Sequence, residues 1–370
     1  MNVSFLDQIS DIEDPRVPGM VVYRLDEILL TVLVGLLCRA EDFDEIEDVG
    51  AELLDWLRRF MPFAHGIAPA QTLKRTLARL DPRQLETAFA TWVKKLAGRI
   101  RGVVAIDGKT VRGSKQDADG TGALHLVQAW AYEAGLVLAQ RAVDAKSNEI
   151  TAIPELLDML ALDGAIVTLD AMGTQKQIAA KIVGKKADYV LALKGNQGTL
   201  EEDVALFFDD PVLAADCSCH KQEPEIGHGR IEERTIRAAD AAWLAERHPD
   251  WKGLASILAV TVRRTIKKTG AVSVETRLFI SSLPPDPVRL AAAVRAHWSV
   301  ENNLHWVLDV AFREDACRVR KDHSARNLAT IRRAVLNMLR QEPSKKSLKR
   351  KRLKALMSPA YREAVLAVND

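Results

Sequence analysis

No stretch of this chain is apolar for long enough to cross a bilayer. The longest such run, ILLTVLVGLL at 28–37, is well short of the roughly 20 residues that a membrane helix needs. No charged-then-apolar leader opens the sequence. Cysteine is scarce, and its four positions suit neither a disulfide framework nor a zinc ribbon. Cys217 and Cys219 are separated by one residue, where zinc pairs usually have roughly two to four between them. With Cys38 and Cys317 they read as free thiols in a reducing compartment. The expected location is the cytoplasm, with no membrane partner. Internal repeats are also lacking.

What is present is an ordinary soluble composition, 48% apolar and 28% charged over 370 residues, long enough for two or three units with cores of their own. The formal net charge of +2 conceals a division along the chain. Residues 1–60 carry 14 acidic and 5 basic side chains, net −9; residues 313–354 carry 15 Lys and Arg against 4 Asp and Glu, net +11. A basic C-terminal third beside an acidic N-terminal segment predicts a polyanionic partner such as nucleic acid. The run KKSLKRKRLK, 345–354, holds seven Lys or Arg and no acid, which suits phosphate contact without sequence readout.

Residues 1–98 read as helices: a buried one over 26–40, an amphipathic one with an acidic face over 41–60, and a third for which Thr72 is a candidate cap. At residue 103 the texture changes. VVAID is an apolar strand, and LHLVQAWA (124–131) and LVLAQRAV (136–143) flank a turn at Glu133–Gly135, forming a hairpin. A helix, the strand AIVTLD (165–170), a helix from about Gln175 and the strand DYVLALK (188–194) follow. That order predicts a mixed α/β sheet. Residues 199–285 are β-rich and read as an insertion with its own sheet. A long helix then starts near Val288 and runs through HWSVENNLHWVLDV, 297–310.

Two apolar strands run into an aspartate, Asp107 in VVAIDGKTVRGS and Asp170 in AIVTLDAMGTQ. Ligands of open α/β sheets bind at such strand ends. In the late helix, His297, Glu301, His305 and Asp309 recur every four residues and so share one helical face. That stripe could be a metal site in itself, one third of a dispersed site, or polar decoration. His297 and His305 are eight residues apart, about 12 Å of helix, too far to share one ion readily. Two aspartates and a helical glutamate suit Mg²⁺, which prefers oxygen ligands. Two such ions can clamp the attacking and leaving oxygens of a phosphodiester displacement. Lys109, Arg112, Lys194 and Arg295 would offset phosphate charge. Trp298 and Trp306 read as core or rim packing, ahead of stacking on DNA.

The blocks AIDGKTVRGS, TLDAMGTQKQIA, DYVLALKGNQ, HGRIEER and HWSVENNLHWVLDVAFRED resemble, in order, the H-repeat-associated proteins. These are bacterial insertion-sequence transposases of the DDE superfamily. The similarity covers about residues 100–340, and GIAPAQTLKRTLARLDP resembles, more loosely, the domain associated with them. The resemblance implies a ribonuclease H-like catalytic core at 99–198 and 286–340, interrupted by the β-rich insertion 199–285. A helical transposase-associated domain, 1–98, would precede it, and a basic tail, 341–370, would follow. It makes Asp107, Asp170 and Glu301 the catalytic, metal-binding residues. It implies Mg²⁺, with Mn²⁺ as its substitute, and double-stranded DNA (element terminal repeats and target) as partner. A homodimer on paired ends and a nucleoid-associated location follow. The expected reaction is cleavage at the element ends and strand transfer by the freed 3′-hydroxyl.

One departure matters: related transposases place Tyr, Arg and Lys around the glutamate where this chain has Val294, His297 and Leu308. Arg295, His297 and His305 are then candidates for DNA contact or for orienting Glu301. Lys109, Arg112, Lys194, His228 and Arg230 are further DNA-binding candidates. A nuclease without strand transfer, a DNA-binding protein that has lost catalysis, and a transition-metal hydrolase are the competing readings.

Overall fold

The computed structural model describes residues 5–115, 122–143 and 147–367. Six helices open the chain: α1 (Phe5–Ser10), α2 (Leu25–Leu37), α3 (Phe43–Glu52), α4 (Leu54–Leu57), α5 (Ala70–Arg79) and α6 (Pro82–Ala97). Nearly every residue of α2 is buried, as its unbroken apolar run requires. The acidic residues around α3 lie mostly on its outer face, and Asp42 caps the helix by accepting from the Glu45 N–H. Asp81 caps α6, with Pro82 at the first helical position. Thr72 is not a cap: α5 starts two residues earlier, after Pro69.

The mixed sheet begins with β1 (Gly102–Val111), β2 (Leu124–Ala131) and β3 (Leu136–Ala142), an antiparallel meander whose tight turn needs the positive φ of Gly135, 66°. α7 (Glu149–Asp158) leads to β4 (Ala165–Leu169), and α8 (Lys176–Gly184) to β5 (Asp188–Leu193). Both strands run parallel to β1's direction, giving the order β3-β2-β1-β4-β5 expected of a ribonuclease H-like sheet.

The β-rich stretch does not make its own sheet. After α9 (Thr199–Asp209) come β6 (Ser218–Lys221), β7 (Glu225–Gly227), β8 (Arg230–Asp240), α10 (Ala242–Arg247), β9 (Ser256–Ile266) and β10 (Val272–Ser281). β10 pairs antiparallel with β5, from Leu278–Leu193 to Ser281–Val190, so all ten strands form one continuous sheet. The physical reason is the open edge of β5, whose peptide groups need partners.

α11 (Pro287–Val300), capped by Asp286, packs across β1, β4 and β5. Leu290 and Val294 of this helix meet Val103, Ile166 and Val190 of the sheet. Its helical path continues as a π turn, Glu301–His305, and then α12 (Trp306–Phe312), which ends at Arg313 in the left-handed region, φ 50°. α13 (Ser324–Gln341) lies between the N-terminal helices and β3. It is tied to both through Asn327, which donates to the Leu77 and Leu80 carbonyls, and Asn337, which exchanges bonds with the Val137 backbone.

Residues expected as a basic tail form α14 (Leu348–Met357) and α15 (Pro359–Leu366). Within the basic run, Lys351 and Arg352 are buried, donating to backbone carbonyls of Leu339 and Glu342 and of Leu36. Trp298 and Trp306 are exposed, which excludes core packing but not the rim, where Arg277 stacks on the Trp298 ring. Among the described residues no helix is long and apolar enough to cross a membrane, and the four cysteines are free thiols.

Candidate active site

Asp107 is not at the end of its strand. β1 continues to Val111, but only β2 accompanies it there, because the parallel pairing with β4 stops at Ile106–Leu169. Asp107 and Asp170 are therefore the first residues past the last paired rung of two adjacent parallel strands. Asp107 Oδ1 accepts from the Gly108 N–H at 2.9 Å, and Asp170 Oδ1 accepts from the Gly173 N–H at 3.1 Å, the start of a tight turn. Burial pushes Asp107 up to about 7; the Gly108 N–H opposes this, and the carboxylates of Asp170, Glu149 and Glu301 add to it. Asp170 is raised by burial and by Glu149, against the pull of the Gly173 and Met172 N–H groups and the Lys194 ammonium.

Glu301 opens the π turn and is exposed. π turns occur often at functional sites, because the wider turn re-aims side chains. Ligand atoms of Asp107, Glu301 and His305 lie within 4.8 Å of one another. His305 is buried, with Nδ1 3.1 Å from Glu301 Oε2 and 3.7 Å from Asp107 Oδ2. Its Nε2 is buried and has no partner among the described residues. The tautomer that strands no buried donor carries its proton on Nδ1 and donates it to Glu301. Burial holds the imidazole below its ordinary pKa, against the pull of Glu301, which keeps it neutral at neutral pH. In that tautomer His305 faces the two carboxylates as a hydrogen-bond donor.

The rest of the stripe docks the helix. His297 Nδ1 meets Thr168 Oγ1 at 3.0 Å on β4, and burial holds it down at about 4. Asp309 takes the Lys109 ammonium at 2.8 Å, and Asp315 lies 3.4 Å from the same Nζ. Lys109, expected to face phosphate, is instead buried and bound to these two carboxylates.

The other basic candidates divide into two groups. Arg112 is exposed beyond β1, and Lys194 is exposed where β5 ends, close enough to act on Asp170. Arg295, Arg230 and His228 are not with the carboxylates. His228 sits at the β7–β8 turn with φ 47°. Arg230 and Arg295 line a cleft of about 300 Å³ with Arg234, Arg264 and Arg277, salt-bridged to Glu225, Glu232 and Glu275. Val294 and Leu308, which stand where related transposases have Tyr and Lys, are core residues.

Two residues beside the carboxylates escaped sequence reasoning. Glu149, the first residue of α7 after the Asn148 cap, places Oε1 2.7 Å from His125 Nε2. His125 Nδ1 in turn meets Thr110 Oγ1 at 2.8 Å across the β1–β2 pair. The one signal was an acid at a helix start, a common feature with an ordinary dipole explanation.

Family comparison identifies the chain. Residues 6–93 match the DDE_Tnp_1-associated family and residues 98–338 match the transposase DDE domain. The chain therefore belongs to the DDE transposases. Within them it belongs with the H repeat-associated transposases. It is 40% identical to "Putative transposase YncI" of Escherichia coli O157:H7, over 98% of this chain and 94% of that protein. It is 38% identical to "H repeat-associated putative transposase YhhI" of Escherichia coli K12, over 98% and 97%. Among solved structures it aligns with a piggyBac transposase synaptic complex with hairpin DNA, at 12% identity and a TM-score of 0.44, over 97% of this chain and 78% of that one.

Proposed function

We propose that this transposase cuts DNA at the ends of an insertion sequence by divalent-metal-dependent hydrolysis and joins the freed 3′-hydroxyl to target DNA. Asp107, Asp170 and Glu301 are its catalytic carboxylates. The observation that carries this reading is the convergence of Asp107 and Glu301 ligand atoms within 4.8 Å, with Asp170 on the adjacent strand end. The donor set fits Mg²⁺, or Mn²⁺ in its place: Asp107, Asp170 and Glu301 offer carboxylate oxygens, and His305, in the tautomer argued above, donates to Glu301. Asp107, Asp170 and Glu301 would hold the divalent ion, which would offset developing negative charge on the phosphate and lower the pKa of the attacking water.

The chain's own groups do the rest. His305 fixes the Glu301 rotamer, which is otherwise free on an exposed turn. Lys109 and Asp309 hold the glutamate helix to β1. Lys194 and Arg112, both exposed, meet the DNA backbone beside the carboxylates, and the arginine cleft with Trp298 meets it farther along the sheet. Element ends are paired by two copies of the chain, so the working form on DNA is a homodimer.

The test is cleavage of DNA carrying the element's flanking repeats, with Mg²⁺, by wild type and Asp170→Asn. The variant is expected to lose several kcal/mol of transition-state stabilisation, on the order of a thousandfold in rate. Undiminished cleavage by Asp170→Asn overturns the assignment; cut ends that never appear joined to target reduce the enzyme to a nuclease.

A further inference from the structure

We propose that Arg340 is a positioning residue for Glu301: it braces the backbone of the π turn on which the glutamate stands, and so sets where that carboxylate lies against Asp107. The proposal rests on the reading of Glu301 given above.

Three observations carry it. First, the turn needs a donor from outside. Within Glu301–His305 the backbone bonds take the wide spacing, as from the Trp306 N–H to the Glu301 carbonyl, while the helices on either side keep the ordinary one. Returning to the ordinary spacing leaves one more carbonyl than there are N–H groups to meet it, and such turns persist where their surroundings hold them. Arg340 Nη2 donates to the carbonyl of Asn303, in the middle of that turn.

Secondly, Arg340 is spent on backbone rather than on charge. It stands in the last turn of α13, and among the described residues its partners are carbonyls and a ring rather than a carboxylate. Nη1 donates to the Gly135 carbonyl at 3.1 Å, and Cζ lies 4.3 Å from the centre of the buried Trp130 ring. Burial works against this charge and lowers its pKa. A planar fork of donors can meet two carbonyls and a ring face at once, which a lysine cannot.

Thirdly, the platform is fixed where the glutamate is not. α13 is bound to the N-terminal helices through Asn327, to β3 through Asn337, and to β2 through Arg333, which donates to Gln128 at 2.8 Å. The Glu301 side chain is about two-thirds exposed, and its hydrogen-bond partner, His305, belongs to the same turn and moves with it. Buried Leu304 anchors the inner side of the turn, and Arg340 ties its exposed carbonyl side to the β2–β3 hairpin. The plainer role is a helix-end arginine stacked on Trp130. That role predicts a lower melting temperature with the Glu301 turn and the metal requirement unchanged.

The experiment reads the turn and the reaction separately, on full-length wild type, Arg340→Gln and Arg340→Lys. Amide hydrogen exchange over residues 301–312 follows the turn without metal or DNA. Cleavage of a duplex of the element end gives the rate at saturating DNA, the DNA concentration for half of it, and the Mg²⁺ requirement. Arg340→Gln is expected to exchange about tenfold faster in that segment. It should lose roughly tenfold to a hundredfold in rate at saturating DNA, need about tenfold more Mg²⁺, and keep the DNA half-saturation of wild type. Arg340→Lys, which keeps a cation over Trp130 and a donor for one carbonyl, should recover part of each. Wild-type exchange in Arg340→Gln, or in Arg340→Lys where the Gln variant does not fold, overturns the proposal. Faster exchange with the wild-type rate and Mg²⁺ requirement overturns it too, as does a change in DNA half-saturation alone, which would make Arg340 a DNA contact. Failure of the catalytic reading is registered apart, by undiminished cleavage in Asp170→Asn.

Discussion

Lys109 and Asp309 join the strand of the first candidate carboxylate to the helix of the last: the ammonium of one lies 2.8 Å from the carboxylate of the other, two hundred residues along the chain. Lys109 is almost wholly buried and Asp309 about one-third exposed. Removing Asp309 leaves a buried ammonium with Asp315 as its remaining carboxylate partner. Asp309→Asn should therefore destabilise the protein by on the order of 2 kcal/mol. Lys109→Met with Asp309→Leu, which removes both charges, should restore most of that. Urea melts of the single and double variants decide it. A double variant as unstable as Asp309→Asn would show that the charge pair is not the source.

Gly113 gives a purely steric prediction. A Cβ there would stand 2.3 Å from the Cys317 carbonyl oxygen and 2.7 Å from that of Asp315, both backbone atoms with no rotamer to escape into. Gly113→Ala should cost about 2 kcal/mol or more and separate the segment after α12 from the end of β1. A thermal melt checks the first part. A variant as stable as wild type would mean that these backbones are farther apart.

Asp107 should make ion binding steeply dependent on pH. Its pKa is raised to about 7 from an ordinary 3.8. A raised carboxyl stabilises the metal-free fold below pH 3.8, and that contribution is lost as pH rises through about 7. Metal requires the ionised form, so below pH 7 protons compete with it. The rise in melting temperature given by saturating MgCl₂ should be small at pH 5.5 and large at pH 8. In Asp107→Asn it should be small at both. Equal metal-induced shifts at the two pH values in wild type would sink this account.

His297 works in the opposite direction. Burial depresses it to about 4 from 6.5. A depressed group adds stability above pH 6.5, and that stability drains away as pH falls toward 4. The full window corresponds to roughly 3 kcal/mol. Because Asp107 acts with the other sign over much of this range, the readout is the difference between wild type and His297→Gln. Acid should narrow the stability gap between them. A gap constant from pH 7 to pH 4.5 would show that the imidazole is not the titrating group.

The placement of Asp107 and Asp170 past two adjacent parallel strands was readable in the sequence because a strand running into a carboxylate is a local pattern. Glu301 was readable as one of a helical stripe, but its selection over its neighbours needed family resemblance. Asp309 had no assigned role until Lys109 was seen beneath it, since a buried lysine in DGKTV looks on paper like a phosphate ligand. The join of β10 to β5 was illegible for a similar reason. Strand propensity says that an edge will be filled, and only three dimensions say by which strand. Glu149 combined both difficulties, a commonplace residue at a helix start that packs against a glycine forty-one positions earlier. The basic run misled in part, because composition counts Lys351 and Arg352 as surface charge while the fold spends them inside.

Those inward-turned residues have a bearing on how the protein is made. Arg352 reaches the Leu36 carbonyl at the end of α2, and Glu363 accepts from Trp56 and Arg59. The second helix to leave the ribosome thus waits for almost the last one before its end is covered, a demand that long-range contacts place on folding speed. Until then the nascent helical part is exposed to proteases. A gene copy with a stop codon ahead of α14 would keep Asp107, Asp170 and Glu301 and still yield a chain destined for turnover.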